Sequence, residues 1–188
     1  DYTYCYCTKS SHFSFILQEA MKNDIHLETS SAFDIHIIEQ LYNDNLLNKD
    51  TFIICNGFKR PQYIENIINL INRGFENTIP VLDNIFELDK FSKGIRKKVK
   101  LGIRIASEEE PKFEFYTSRL GIRYNDIVPY YQEKIRNNNK FMLKMLHFFI
   151  NTGIRDSAYY WSELNKCVNV YCELKKICPE LDSLNIGG

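Results

Sequence analysis

Short runs rich in β-branched and aromatic residues alternate with longer segments whose apolar residues recur every three or four positions. This pattern predicts seven strands and six helices in strict alternation. The predicted strands span 2–7, 25–30, 51–57, 78–83, 98–106 and 141–150, and a seventh begins at 181. The predicted helices span 12–23, 33–45, 61–74, 85–94, 125–138 and about 156–177. Pro61 in the first turn and Gly74 at the end bound the third helix. Segment 107–123 is predicted to be a longer connection.

Strict alternation of strands and helices is typical of parallel β-α-β units, which occur both in open doubly wound sheets and in (β/α) barrels. The first strand helps to distinguish these architectures. Cys5, Cys7 and Lys9 fall on one of its faces, and tyrosines alternate with them on the other. Small side chains suit a crowded barrel interior, and rings suit packing against helices. We therefore predict an α/β fold of the (β/α) barrel type, with Lys9 on the inner face at the barrel mouth.

Composition argues against several classes of function. Lysine plus arginine and aspartate plus glutamate each number 24, so the zero net charge predicts neither nucleic-acid binding nor membrane attraction. No apolar run approaches the ~20 residues of a membrane span. The six cysteines form no C-x-x-C pair, and the histidines lack zinc-ligand spacing. We expect no metal site, and we expect reduced, mostly buried thiols in a cytosolic protein.

Candidate functional residues cluster where the predicted strands end, which is where (β/α) barrels place their active sites. They are Lys9, Glu28, Ser30, Ser31, Asn56, Arg104, His147, Phe149, Thr152, Gly187 and Gly188. A lysine amine can bind an aldehyde covalently, and an aromatic ring can stack on a flat heterocycle. Paired glycines let backbone N–H groups approach a phosphate. This combination describes a site for pyridoxal 5'-phosphate, a cofactor that acts as an electron sink.

The residues after the first two strands also have structural interpretations. Lys9 can be a strand end whose charge is simply solvated. Ser30 or Ser31 can cap the second helix, because serine is a preferred N-cap residue. Glu28 can be a favourable charge near that helix N-terminus.

The residues farther along the chain have similar alternatives. Asn56 can belong to a turn with the glycine that follows it. His147 and Phe149 share a face of the sixth predicted strand and can both be core residues. Arg104 is harder to explain in structural terms, because it lies mid-strand among apolar residues and therefore requires a buried partner.

Seven segments together resemble one known family. They are YCTKSS, LETSSAFDI, ICNGFK, LGIRIAS, RLGI, LHFFINTG and LNIGG. Their order and rough spacing resemble the barrel domain of the fold-type III pyridoxal-phosphate decarboxylases, the ornithine, diaminopimelate and arginine decarboxylase family. The likeness is greatest to the biosynthetic arginine decarboxylases. It implies that residues 1–188 form part of an alanine racemase-like barrel, as a fragment without the remaining barrel and a C-terminal β-domain.

The resemblance also implies roles for individual residues. Lys9 corresponds to the lysine that holds the cofactor, and Arg104 to an arginine near the pyridine ring. Arg119 stands where the family usually has lysine. The implied cofactor contacts are Lys9, Glu28, Ser31, Arg104, Phe149, Thr152, Gly187 and Gly188.

The end of the sixth predicted strand departs from the family pattern. The family usually has a histidine that stacks on the cofactor ring, and a serine near the phosphate. Phe149 and Thr152 occupy those places, so stacking and a hydroxyl are kept whereas the imidazole is lost. His147 is expected to lie one layer deeper.

The resemblance implies decarboxylation of a basic amino acid by a cytoplasmic enzyme, with arginine converted to agmatine for polyamine synthesis. Ornithine, diaminopimelate or a carboxylated polyamine are alternative substrates. A truncated or non-catalytic protein that binds pyridoxal phosphate is the alternative from another class. The expected partners are a small amino-acid substrate and further copies of the same subunit, without nucleic acid or membrane.

Overall fold

The computed structural model describes residues 2–106, 120–150 and 157–187. The chain divides into two compact units, which are Asp1–Val81 with Phe86–Lys100 and Leu82–Ile85 with Leu101–Gly188. Among the helices in the described ranges, none combines the length and the apolar character needed to cross a membrane.

The first unit contains strands that alternate with helices, as predicted. The strands are β1 (Cys5–Cys7), β2 (His26–Thr29), β3 (Ile53–Cys55) and β4 (Thr78–Leu82). The helices are α1 (Ser14–Lys22), α2 (Ala32–Asn43), α3 (Pro61–Asn72) and α4 (Glu87–Gly94). The strands are ordered β1-β2-β3-β4 and pair in parallel, with Cys7 opposite Glu28 and Thr29 opposite Cys55. Their carboxyl ends therefore share one edge of the sheet.

Local sequence explains how this unit is built. All three residues of β3 are buried, as expected for a central parallel strand covered on both faces. Helix α3 begins at Pro61, and the chain reverses at Gly74, whose φ of 98° is accessible to glycine, so both predicted helix boundaries are confirmed. Ile38 of α2 and Ile67 of α3 are fully buried in the core.

The second unit contains strands β5 to β8 and two helices. The strands are β5 (Val99–Ala106, most of which belongs to this unit), β6 (Ile122–Arg123), β7 (Phe141–His147) and β8 (Ser183–Asn185). The helices are α5 (Tyr124–Tyr130) and α6 (Ser157–Ile177). Strand β5 is a neighbour of β7 and also pairs with β6, and β7 pairs in parallel with β8. Leu101, Ile103, Leu146 and Leu174 are among its fully buried residues.

Strand β6 was not predicted, because two residues are too short to show a period. It lies in the predicted long connection and pairs in parallel with the end of β5. Gly121, just before β6, allows the backbone to approach β5 closely. Its φ is 116°, and a Cβ there would lie 2.5 Å from the backbone nitrogen of Ala106. Its N–H donates to the carbonyl oxygen of Asp83 at 2.8 Å.

The fifth predicted helix is interrupted. It continues as α-helix to Tyr130 and then as a π-helical segment, Tyr131–Ile135. Pro129 lies just before the change. Because proline lacks an N–H and its ring clashes with the preceding turn, regular α-helical hydrogen bonding is disturbed there.

Candidate functional site

Lys9 lies in a tight turn just after β1, and its side chain is exposed. The N–H and the hydroxyl of Thr8 both donate to the carbonyl oxygen of Glu28, at 2.9 and 3.1 Å. The N–H of Ser10 donates to the carbonyl oxygen of Cys7 at 3.0 Å and closes the turn. These bonds turn the chain after Cys7, where the predicted strand also ends, whereas residues 2–4 of the predicted strand lie outside β1. Lys9 therefore lies at the carboxyl end of β1, in the turn rather than in the strand.

Burial does not distinguish the two predicted faces of β1, because Cys5, Tyr6 and Cys7 are all half-buried. Tyr2 and Tyr4 are exposed, but they precede the strand. The cysteines of the described residues are free thiols, and Cys55, Cys167 and Cys178 are buried. The expectation of reduced thiols agrees with this arrangement. The expectation that most of them are buried is met for half of the six, because Cys5 and Cys7 are half-buried and Cys172 is exposed.

Glu28 and Asn56 meet at the carboxyl ends of β2 and β3. The Asn56 amide donates to Oε1 of Glu28 at 3.3 Å, and its backbone N–H donates to the carbonyl oxygen of Thr29 at 2.9 Å. The side-chain oxygen of Asn56 accepts the N–H of Gly57 at 3.0 Å, so the predicted turn is also present. The interpretation of Glu28 as a helix-terminal charge is wrong, because Glu28 lies within β2.

A buried ion pair supports this turn and was missed in the sequence. Nζ of Lys59 lies 3.2 Å from Oε2 of Glu87, and both side chains are essentially inaccessible to solvent. The ammonium also donates to the carbonyl oxygens of Gly57, at 2.9 Å, and Val81. Lys59 thus joins the turn after β3 to the end of β4 and to the first turn of α4. The sequence feature that could have indicated this ion pair is the lysine at the end of ICNGFK, which is Lys59.

Ser31 is the N-cap of α2, so the capping interpretation is confirmed. Its hydroxyl accepts the N–H of Asp34 at 3.4 Å, and the Asp34 carboxylate accepts the N–H of Ser31 at 3.0 Å. This reciprocal arrangement is a capping box. A role of Ser31 toward the cofactor stays a prediction.

Burial is the main cause of the raised pKa values of the thiols beside these strands. Burial, and then the charge of Glu28, raises the pKa of Cys5 to about 12. Burial raises the pKa of Cys55 to about 11, although the hydrogen bond with Thr29 opposes the change. Because the thiolate is the reactive species, these two thiols should be poor nucleophiles near neutral pH.

Iodoacetamide at near-neutral pH is expected to alkylate the exposed Cys172 much faster than Cys5 or Cys55. Near neutral pH, raising a thiol pKa from 9.0 to about 11, as in Cys55, lowers the thiolate fraction about a hundredfold, and raising it to about 12, as in Cys5, lowers it about a thousandfold. Mass spectrometry of peptides after timed alkylation measures the three rates. Denaturation in guanidinium is the control and should make them similar. Equal rates in the folded protein would contradict the burial of these thiols.

Arg104 has the buried partner that its position in β5 requires. Its Nη1 lies 3.9 Å from Oδ1 of Asp83, and both residues are buried. The guanidinium carbon also lies 5.5 Å from the centre of the Phe149 ring, within cation–π range. Sequence reasoning required a partner but did not identify Asp83. The signal was an aspartate directly after the apolar run TIPVL.

Phe149 forms the centre of a layered group of side chains. The rings of His147 and Phe149 are stacked at 15°, with centroids 6.5 Å apart, and His147 is fully buried. His147 therefore lies one layer deeper, as predicted. Phe149 is half-buried, whereas Phe148 is the core residue.

Gly187 lies against the ring of Phe149. Its φ is 75°, and a Cβ there would lie 2.8 Å from Cδ2 of Phe149. Its N–H donates to the side-chain oxygen of Asn185 at 2.9 Å. The glycine predicted for the phosphate loop is thus required sterically beside Phe149. Arg119, Thr152 and Gly188 lie outside the described residues.

Replacement of Gly187 by alanine is expected to destabilise the protein by about 1–2 kcal/mol, because a side chain is strained at positive φ and its Cβ would meet the Phe149 ring. Gly74→Ala is the matched control and should cost less: its φ is also positive, but a Cβ there would meet nothing nearer than Lys49 Nζ at 3.7 Å. Denaturant unfolding of the full-length protein measures both changes in the free energy of unfolding. Equal losses in the two variants would show that contact with Phe149 is unimportant.

Comparison with known proteins gives consistent similarities. The family model described as "Pyridoxal-dependent decarboxylase, pyridoxal binding domain" matches residues 1–188. The biosynthetic arginine decarboxylase of Geobacter sp. (strain M21) is 28% identical over 144 residues, which cover 72% of this chain and 22% of that protein. Biosynthetic arginine decarboxylase 2 of Synechocystis sp. is 30% identical over 146 residues, with the same coverage. The chain thus spans about a fifth of the length of these relatives.

Solved structures extend the similarity to the fold. The lysine decarboxylase from Selenomonas ruminantium superimposes with a TM-score of 0.78 and 16% identity, covering 99% of this chain and 46% of that one. The biosynthetic arginine decarboxylase from Campylobacter jejuni gives a TM-score of 0.71 and 20% identity, covering 99% and 30%. These likenesses confirm the predicted fold class, an incomplete (β/α) barrel of the alanine racemase-like type.

Proposed function

Since this chain belongs to the pyridoxal-dependent decarboxylase family, we propose that the full-length protein decarboxylates a basic amino acid with pyridoxal phosphate as its cofactor. The family match over all 188 residues carries this proposal. Each unit also supplies residues of the required chemical types at the carboxyl ends of its strands, where barrel enzymes place their active sites.

The residues of the first unit fit an aldehyde cofactor. Lys9 carries an exposed primary amine in a turn that is closed by backbone hydrogen bonds. Glu28 supplies a carboxylate on the neighbouring strand, and the Asn56 amide holds it. We assign covalent attachment of the cofactor to Nζ of Lys9, and orientation of groups near that amine to Glu28.

The residues of the second unit fit a flat, phosphorylated ring. Phe149 offers an aromatic face, and Arg104 is a buried cation anchored by Asp83. Gly187 leaves no space for a side chain beside that ring, which suits close approach of a ligand to the backbone. We assign ring contacts to Arg104 and Phe149, and contacts near the phosphate to Gly187, with Thr152, Gly188 and Ser31 as further predicted contacts.

Bound pyridoxal phosphate supplies an electron sink for the electrons released when the substrate loses its α-carboxylate as carbon dioxide. The protein's part is to bind the cofactor, to orient the substrate and to return a proton to the α-carbon. The amine of Lys9 is suited to proton transfer, because an amine can act as a general acid once it is protonated.

Arginine is the proposed substrate, with agmatine as the product. The support is the similarity of 28–30% to two biosynthetic arginine decarboxylases over 72% of the chain. Ornithine, diaminopimelate and carboxylated polyamines are the alternatives within the family. Assembly into a homo-oligomer and location in the cytoplasm belong to the same proposal.

A non-catalytic protein that binds pyridoxal phosphate is a second candidate, because Phe149 stands where the resemblance expects a histidine. The layered contacts of Phe149 with Arg104 and with the buried His147 favour a ring-binding role without proton transfer. This candidate would bind the cofactor as the first one does, but it would not turn over an amino acid.

Release of carbon dioxide from a panel of amino acids distinguishes these proposals. The full-length protein loaded with pyridoxal phosphate is incubated separately with arginine, ornithine, diaminopimelate and a carboxylated polyamine. Arginine is expected to give the fastest release and agmatine as the product. Faster release from another member of the panel would replace arginine as the substrate. Cofactor binding without any release would support the non-catalytic candidate.

A further inference from the structure

His12 joins the turn that carries Lys9 to the beginning of α2. Its Nε2 lies 3.3 Å from Oδ1 of Asp34. The histidine side chain is 46% exposed, whereas the Asp34 side chain is 1% exposed. Only three positions separate His12 from Lys9. A contact that fixes His12 therefore also restrains the backbone at Lys9.

Asp34 is a rigid anchor for this contact. Its Oδ2 accepts the N–H groups of Ser30 and Ser31 at 2.7 and 3.0 Å. Its own N–H is bound by the Ser31 hydroxyl in the capping box. These bonds hold the carboxylate at the N-terminus of α2 and leave Oδ1 directed at His12. The imidazole also makes an edge-type contact with the Phe33 ring, with centroids 5.8 Å apart.

The other end of the turn is fastened as well. Thr8 is bound to β2 through its N–H and its hydroxyl, which both donate to the carbonyl oxygen of Glu28. Lys9 therefore lies in a short segment with one end held by β2 and the other by α2. A flexible lysine side chain loses much rotational freedom when it reacts, so a fixed backbone lowers the remaining entropy cost of a productive geometry.

We propose that His12 is a positioning residue, which acts with Asp34 to hold the turn so that the amine of Lys9 is presented to an aldehyde ligand. This inference rests on the proposed function, because that proposal assigns cofactor attachment to Lys9. His12 does not itself need to touch the cofactor. Its contribution is the hydrogen bond from Nε2 to the anchored carboxylate.

Three variants of the full-length protein test this role. His12→Ala removes the hydrogen bond, and His12→Gln retains an N–H donor at a similar distance from the backbone. His36→Ala is the matched control, because His36 also faces a carboxylate, Glu39 Oε2 at 3.4 Å, but both residues belong to α2 and neither is in the turn that carries Lys9. Each protein is mixed with pyridoxal phosphate for timed intervals and reduced with borohydride. Mass spectrometry then gives the rate of labelling at Lys9.

His12→Ala is expected to label Lys9 about tenfold more slowly than the wild type, since small errors of placement strongly slow reactions between positioned groups. His12→Gln should restore most of the rate, and His36→Ala should leave it unchanged. Hydrogen exchange at the Ser10 amide gives an independent readout, because that N–H closes the turn through the Cys7 carbonyl oxygen. It should exchange faster in His12→Ala only.

The outcomes separate the inference from the proposed function. Labelling of Lys9 at the wild-type rate in His12→Ala would overturn the positioning role alone. Failure of His12→Gln to restore the rate would also overturn it, because the hydrogen bond would then not be the cause. Absence of a label at Lys9 in the wild-type protein would contradict the proposed function, and the Ser10 exchange rates would still show whether His12 holds the turn.

Discussion

Replacement of Lys59 by methionine is expected to destabilise the protein by about 3–5 kcal/mol, because it leaves a charged carboxylate buried without its ion-pair partner. That carboxylate belongs to Glu87, whose side chain is 1% exposed. The substitution also removes the donors to the carbonyl oxygens of Gly57 and Val81. Denaturant unfolding of the full-length protein measures the change in free energy of unfolding.

Two further variants identify the cause. The double replacement Lys59→Met with Glu87→Leu should recover most of the lost stability, since an apolar pair of similar volume can replace a buried ion pair. Arg73→Met is the control, because Arg73 pairs with Glu39 while 46% of its side chain is exposed. Its effect should stay below about 1 kcal/mol. Similar stability of Lys59→Met and Arg73→Met would contradict the buried ion pair.

Replacement of Lys9 by alanine is expected to have the largest effect on activity. It removes the amine assigned to cofactor attachment and to proton return, and general acid–base catalysis alone commonly contributes about 10²–10⁴-fold. Turnover of arginine by the full-length protein should therefore fall by about a thousandfold or more. Stability should change little, because the Lys9 side chain is exposed.

The matched control for this substitution is Lys22→Ala. Lys22 is also an exposed lysine of the first unit, where it pairs with Glu19 at 3.1 Å on the surface of α1. Its replacement should leave turnover unchanged. Comparable losses in both variants would indicate a general effect of lost charge, and full turnover in Lys9→Ala would remove Lys9 from the mechanism.

Much of the fold could be predicted from local pattern. The alternation of apolar runs located six helices and seven of the strands in the described residues, because periods of two and of three to four residues persist over several turns or pleats. Strand β6 could not be found in this way, since Ile122 and Arg123 are too few to show a period. The change from α- to π-helix after Pro129 depends on hydrogen-bond geometry that periodicity does not contain.

The candidate site was only partly predictable. Lys9, Glu28, Phe149 and Gly187 could be singled out because they lie at or near predicted strand ends. Arg104 could be singled out because a charged residue is unusual within an apolar strand. Asp83, the partner of Arg104, and Glu87, the partner of Lys59, could not be assigned. Pairing between segments more than 20 residues apart depends on how strands and helices pack, which local spacing does not encode. His12 also gave no signal, since its meaning depends on the buried Asp34.

Lys9 is proposed to be the residue that binds pyridoxal phosphate covalently. The most direct test is reduction of the full-length protein with borohydride in the presence of the cofactor, followed by proteolysis and mass spectrometry of every lysine-containing peptide. We predict a phosphopyridoxyl label on the peptide that contains Lys9 and its loss in Lys9→Ala. A label that is found only on other lysines, or no label at all, would contradict this claim.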